Sequence, residues 1–112
     1  MKKYLFYAMR GEKMCFNHVL LNALDLKAAG CEVYVVFEGQ SVTLPAQLEA
    51  EQNALYLKAK AQGLLAGICL ACSVQLKVHD ANKVLGIPLL NDMNGHAGVK
   101  PYVEKGCEII VM

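Results

Sequence analysis

The sequence predicts an α/β fold in which a parallel sheet lies between two layers of helices, a three-layer α/β/α sandwich. Three observations predict it. Short apolar runs alternate with longer helix-like segments along all 112 residues, the signature of a sheet covered on both faces. Glycine stands where helices should end, at Gly30, Gly63, Gly86 and Gly106, because the left-handed conformation there costs glycine little. One run, residues 64–69, has no polar side chain until its end, which suits a central strand.

Taken in order, residues 3–9 are apolar, rich in aromatics and bounded by Arg10-Gly11, and they read as the first strand. Residues 13–29 lack Gly and Pro and read as a helix. Steps of about 100° place His18, Asn22 and Asp25 on one narrow stripe. Most of the remaining circumference is apolar, so this helix is expected to be buried on more than one side, under the sheet and against a neighbour. Cys31-Glu32-Val33-Tyr34-Val35-Val36-Phe37 is a β-branched and aromatic second strand, ended by Glu38-Gly39-Gln40-Ser41. Thr43 stands where it could cap the next helix, with Pro45 in its first turn, where a missing N–H costs nothing. That helix is expected to run to about Gln62, its charges Glu49, Glu51, Lys58 and Lys60 forming a solvated face.

The third strand occupies residues 64–69, and a helical segment is expected to begin near Cys72-Ser73. Asp80 stands where it could cap a further turn that closes at Gly86. Ile87-Pro88-Leu89-Leu90 reads as a short fourth strand, which its proline assigns to an edge. A turn-rich loop over residues 91–98 leads into a short helix, residues 99–105, and then a fifth strand, residues 107–111. No linker, repeat or low-complexity segment interrupts this order, so a single domain spans residues 1–112.

Composition narrows the function. The chain is 55% hydrophobic and 19% charged, rich for so small a domain even with alanine discounted, which points to apolar surface buried against other subunits. A net charge of +1, no basic run longer than Lys2-Lys3 and no Trp argue against nucleic acid or an anionic membrane as partner. The apolar stretch after Lys2-Lys3 ends at Arg10-Gly11-Glu12 without a cleavage site. No segment approaches the ~20 apolar residues of a membrane span. The expectation is a cytoplasmic protein. Five cysteines, an odd number, then argue for thiols rather than a disulfide framework.

In a parallel α/β fold, ligands bind beyond the carboxyl ends of the strands. The loops there are residues 10–12, 38–43, 69–73 and 91–98. Cys69-Leu70-Ala71-Cys72 lies on one of them, where a strand runs into a helix. Helix N–H groups and the helix dipole favour a thiolate there, the nucleophilic form of cysteine. Besides plain packing, the pair admits sulfur transfer, dithiol redox chemistry and metal binding. A structural zinc wants four ligands, and Cys15-Phe16-Asn17-His18 is a second pair with nothing in the sequence to bring it near Cys69. No metal and no resident cofactor are therefore expected. Cys31 and Cys107 fall at the amino ends of strands, as core residues.

Asn91-Asp92-Met93-Asn94-Gly95-His96-Ala97-Gly98 shares the carboxyl end with Cys69. His96 could exchange a proton beside the thiol, since imidazoles do so near neutral pH. Asn91, Asp92, Asn94 and Gly95 are expected to bind substrate, the glycines letting backbone N–H groups converge on an anion. A polar surface turn is the plain alternative. Glu38 could face Cys69 from the neighbouring loop and would raise a thiol pKa unless it acts as a base. His79, in a solvated turn, receives no role.

These residues resemble the DsrE/DsrF family of small sulfur-relay proteins. The resemblance covers almost the whole chain. It rests on the element order and on Ile68-Cys69-Leu70-Ala71-Cys72-Ser73-Val74-Gln75-Leu76-Lys77-Val78. It implies a five-stranded parallel sheet ordered 4-3-2-1-5, a homo-oligomer (trimer or hexamer), and a persulfide on Cys69 passed between sulfur donor and acceptor proteins. The basic residues and glycine that follow the cysteine in some members are here Gln75, Leu76 and Lys77, and a second cysteine sits three residues on. The expected function is a cytoplasmic sulfur carrier or sulfurtransferase using Cys69, Cys72 and His96. The alternatives are a dithiol redox protein, or a non-catalytic oligomeric module that binds a small ligand or metal.

Overall fold

In the computed structural model, which describes residues 1–112, five strands form one sheet in the order β4-β3-β2-β1-β5, with every pairing parallel. The strands are β1 (Lys3–Ala8), β2 (Glu32–Phe37), β3 (Leu65–Cys69), β4 (Leu89–Leu90) and β5 (Glu108–Val111). The fold class is the one the sequence predicts, and the strand order is the one the family resemblance implies. β4 lies at an edge, where Pro88 before it removes no ladder hydrogen bond.

The core is made by the inner strands. Leu5, Phe6, Val35, Val36, Phe37 and Ile68 are at most 1% exposed, and each such side chain contributes roughly 1.5–3 kcal/mol by leaving water. Phe16, from helix α1 (Lys13–Ala28), stacks on Phe37 with ring centroids 4.9 Å apart. α1 buries only one face in the single chain: Phe16, Val19, Leu20, Ala23 and Leu24. Met14 and Leu21 stay exposed, so the second buried side expected from the apolar circumference is not supplied within the chain.

The single helix expected from Thr43 to Gln62 is two helices, with a short turn before them. A 3-10 turn (Gly39–Thr43) leads into α2 (Leu44–Ala50), and α3 (Ala54–Ala61) follows after a break. Gln52 adopts φ of 52°, which ends α2, and Asn53 caps α3 by accepting the Tyr56 N–H at 3.0 Å. Thr43 does stand at the N-cap of α2, but its hydroxyl accepts no helix N–H and donates instead to Gln40 O. The remaining helices are α4 (Leu70–Gln75), α5 (His79–Lys83) and α6 (Lys100–Glu104). α4 begins two residues earlier than expected because Cys69 itself serves as N-cap. Asp80 lies inside the first turn of α5 rather than capping it, and it pairs with Lys83 at 3.4 Å.

One irregularity sets what meets at the carboxyl end. Between β2 and β3 the pairing passes from Val35↔Leu65 directly to Val36↔Gly67, so Ala66 is an extra residue on β3. Such a bulge changes the register of everything beyond it. Phe37 then faces Ile68, and the residues that follow, Glu38 and Cys69, leave the sheet side by side. Gly67 belongs at this spot, since a Cβ there would lie 2.3 Å from the Leu90 side chain.

Candidate functional site

Four side chains from three segments converge beyond the carboxyl edge of the sheet. Glu38 follows β2, Cys69 ends β3, Cys72 lies in the first turn of α4, and His96 comes from the loop of residues 91–98. One ligand-type atom from each lies within 4.8 Å of the others.

Cys69 is fully buried, and its Sγ accepts the Cys72 N–H at 3.4 Å. Sulfur thus takes the place that a Ser or Asp oxygen holds in an ordinary helix cap. Ser73 steadies this turn by donating its hydroxyl to Cys69 O at 2.7 Å, and buried Asn82 donates to Ser73 Oγ at 3.1 Å and to Val42 O at 2.9 Å. Of the helix N–H groups expected to face the sulfur, that of Ala71 goes to Gly95 O at 2.9 Å.

Glu38 is only 5% exposed. Its carboxylate accepts the Gly39 N–H at 2.9 Å, the Tyr7 hydroxyl at 3.2 Å and the Cys72 thiol at 2.7 Å. Ser41 fixes its backbone, accepting the Glu38 N–H at 3.1 Å and donating to Ala8 O at 2.7 Å. Burial works against ionisation of Glu38, but the donors from Cys72, Gly39, Cys69 and Tyr7 outweigh it and hold the carboxyl below its usual range. Cys72 shows the reverse. Burial, then the hydrogen bond to Glu38, pushes its thiol up to about 12. Burial and Glu38 raise Tyr7 likewise. The site therefore places its negative charge on Glu38 and keeps protons on Cys72 and Tyr7. The carboxylate does act against a thiolate, at Cys72.

His96 turns Nδ1 inward, 3.3 Å from Cys69 Sγ, 3.5 Å from Cys72 Sγ and 3.6 Å from Glu38 Oε1. Its aim comes from a tight turn. Met93 and His96 exchange both backbone hydrogen bonds at 2.8 Å, and Asn94 and Gly95 between them have φ of 50° and 90°. Two positive φ angles in a two-residue Asn-Gly connection are the type I′ pattern.

Cys69, Cys72 and His96 are thus brought together. Asn91, Asp92, Asn94 and Gly95 shape the loop that carries the histidine. The Gly95 N–H goes to Asn91 O at 3.2 Å, the His96 N–H to Met93 O, and the Gly98 N–H to the Asp92 carboxylate at 3.3 Å. These N–H groups are spent within the loop instead of converging outward. Cys15, His18 and His79 stand outside the cluster. Cys31 and Cys107 are half-buried against the core just before β2 and β5. Sequence reasoning missed Tyr7, whose hydroxyl also donates to Ala97 O at 2.6 Å and so ties β1 to the histidine loop. Its signal was its place, one residue from the carboxyl end of β1.

Chemically, the arrangement offers an imidazole nitrogen for a thiol proton, two sulfurs near enough to react with one another, and four donor atoms around one point.

A solved structure of a conserved protein of unknown function, BT1422 from Bacteroides thetaiotaomicron, superposes with a TM-score of 0.72 at 20% identity, covering 99% of this chain and 95% of that one. It shares the fold. No family model matches the chain. An uncharacterised protein of Methanocaldococcus jannaschii, MJ0733, is 33% identical over 96 residues, which is 83% of this chain and 76% of that protein. At that identity and coverage, the chain belongs to the same family as MJ0733.

Proposed function

We propose that this chain is a sulfur carrier of the cytoplasm that holds sulfane sulfur as a persulfide on Cys69. The observation that carries the reading is Cys69 Sγ lying 3.3 Å from His96 Nδ1 while it accepts the Cys72 N–H. A base and an N–H donor at the sulfur are what thiolate chemistry needs. The resemblance to the DsrE/DsrF family supports the same position and the same chemistry, and adds an assembly of three or six copies.

The steps balance with a donor persulfide R–S–SH. His96 takes the Cys69 proton, the thiolate attacks the outer sulfur, the donor's S–S bond breaks, and the leaving R–S⁻ takes the proton back from His96 and departs as R–SH. Cys69–S–SH remains. His96, neutral again and 3.5 Å from Cys72 Sγ, then takes the Cys72 proton as that sulfur attacks the outer sulfur to move it on, or the inner sulfur, releasing HS⁻ and closing a Cys69–Cys72 disulfide. His96 is the most exposed member of the cluster, with 36% of its side chain in contact with solvent, so the donor approaches past the imidazole.

Mass spectrometry after incubation with a sulfane-sulfur donor tests this. The expected product is about 32 Da heavier, by one sulfur atom, and is absent in Cys69→Ser. No heavier species, or one unaffected by that substitution, overturns the proposal. The proximity of the sulfurs, within 4.8 Å, favours a second reading, a dithiol redox protein. A redox titration that yields no Cys69–Cys72 disulfide removes it.

A further inference from the structure

We propose that Glu38, Cys69, Cys72 and His96 form a binding site for a divalent zinc-like metal ion, one per chain. This inference does not rest on sulfur transfer, although the same thiols serve both.

Geometry carries it. Tetrahedral zinc with bonds of about 2.0–2.3 Å spaces its ligand atoms roughly 3.3–3.8 Å apart. Here His96 Nδ1 lies 3.3 Å and 3.5 Å from the two sulfurs and 3.6 Å from Glu38 Oε1. The Cys72 Sγ–Glu38 Oε1 distance is shorter, 2.7 Å, because a thiol proton joins those two atoms. A metal that replaces the proton moves them apart to ligand spacing.

The donors fit the ion. Two thiolates, an imidazole and a carboxylate are ligands for zinc and similar borderline metals, whereas magnesium and calcium take oxygen. The surroundings also match a metal centre, in which outer hydrogen bonds orient the ligands. The Tyr7 hydroxyl holds Glu38 Oε2 and the Gly39 N–H holds Oε1 at 2.9 Å, which keeps a second lone pair of Oε1 for the ion. The Cys72 N–H supports the Cys69 sulfur. Binding releases the two thiol protons to solvent and involves no change of oxidation state. The sequence held metal unlikely because Cys15 and His18 were its only visible second pair. The missing ligands are Glu38 and His96, from two other strand-end loops.

The test uses the full-length chain, reduced, stripped with a chelator and given no sulfur donor. Titration with Co²⁺ should give tetrahedral visible bands and thiolate-to-cobalt charge transfer that saturate at one ion per chain, with Zn²⁺ displacing the cobalt. Zinc affinity, read by competition with a chromogenic chelator, should fall by about 100-fold or more in Cys69→Ser, Cys72→Ser and His96→Ala. For Glu38→Gln the expected fall is about 10-fold, within the range seen for weakened ligand shells. Cys15→Ser, Cys31→Ser and Cys107→Ser should bind like wild type. The cobalt spectrum of the unmodified chain reports thiolate ligation even where a variant fails to fold. Absence of the charge-transfer band, or affinity unchanged by loss of Cys69 and Cys72, overturns the site. Because no donor is present, that result leaves persulfide formation to its own assay.

Discussion

Cys72 and Glu38 form a pair in which one proton has a settled owner. Burial and the neighbouring charge keep it on sulfur, while four donors keep the carboxylate ionised. Glu38→Gln removes the charge but leaves the burial. The Cys72 pKa should then fall without reaching the range of an exposed thiol, and its thiolate fraction at pH 8 should rise. The expected outcome is a several-fold faster alkylation of Cys72 in the reduced, metal-free protein, read site by site by mass spectrometry. An unchanged rate would show that burial alone sets the thiol.

Between elements, the break that separates α2 from α3 has its own fastening. Glu49 accepts the hydroxyl of the fully buried Tyr56 at 2.9 Å and the Lys60 ammonium at 2.6 Å. Lys60, foremost, lowers the Glu49 carboxyl, and Tyr56 adds to it. A carboxyl lowered in the folded chain adds stability that is present above its unfolded pKa, near 4.3, and lost as pH falls through the lower folded value. Glu49→Gln should flatten the stability–pH curve in that acidic window. Tyr56→Phe should cost about 1 kcal/mol near neutral pH, both by denaturant titration. A Glu49→Gln curve that still falls as steeply would assign the acid loss to other carboxylates. The alternation of apolar runs made the sheet and its edge strand legible in sequence, and with them the carboxyl-end address of Cys69, Cys72 and His96. The break at Gln52 was not legible, because the apolar pattern continues through it and only the capping type of Asn53 marks it. Nor was the alignment of Glu38 with Cys69. That depends on one extra residue, Ala66, whose sole trace is a glycine inside a strand. The Asn94-Gly95 pair was a readable signal for the tight turn that aims His96.

At the scale of the molecule, a radius of gyration of 12.8 Å matches the ~13 Å expected of a compact chain this long. Apolar side chains remain outside it on several elements: Met14 and Leu21 on α1, Val74 on α4, Val103 on α6 and Val111 on β5. No helix is long and apolar enough to cross a membrane. We expect copies of the chain to cover these side chains. Light scattering during gel filtration should give a mass that is a multiple of 12.2 kDa, three or six by the family resemblance, and a monomer at micromolar concentration would refute it. Cys69 is sealed in the single chain as well, and the bond from Ala71 N–H to Gly95 O closes the histidine turn over it. Lifting the histidine turn away from the sulfur breaks that bond. Deuterium uptake at the Ala71 amide is therefore a clock for the site, and sulfur loading that keeps pace with it would make the turn, rather than the thiol, the rate-setting part.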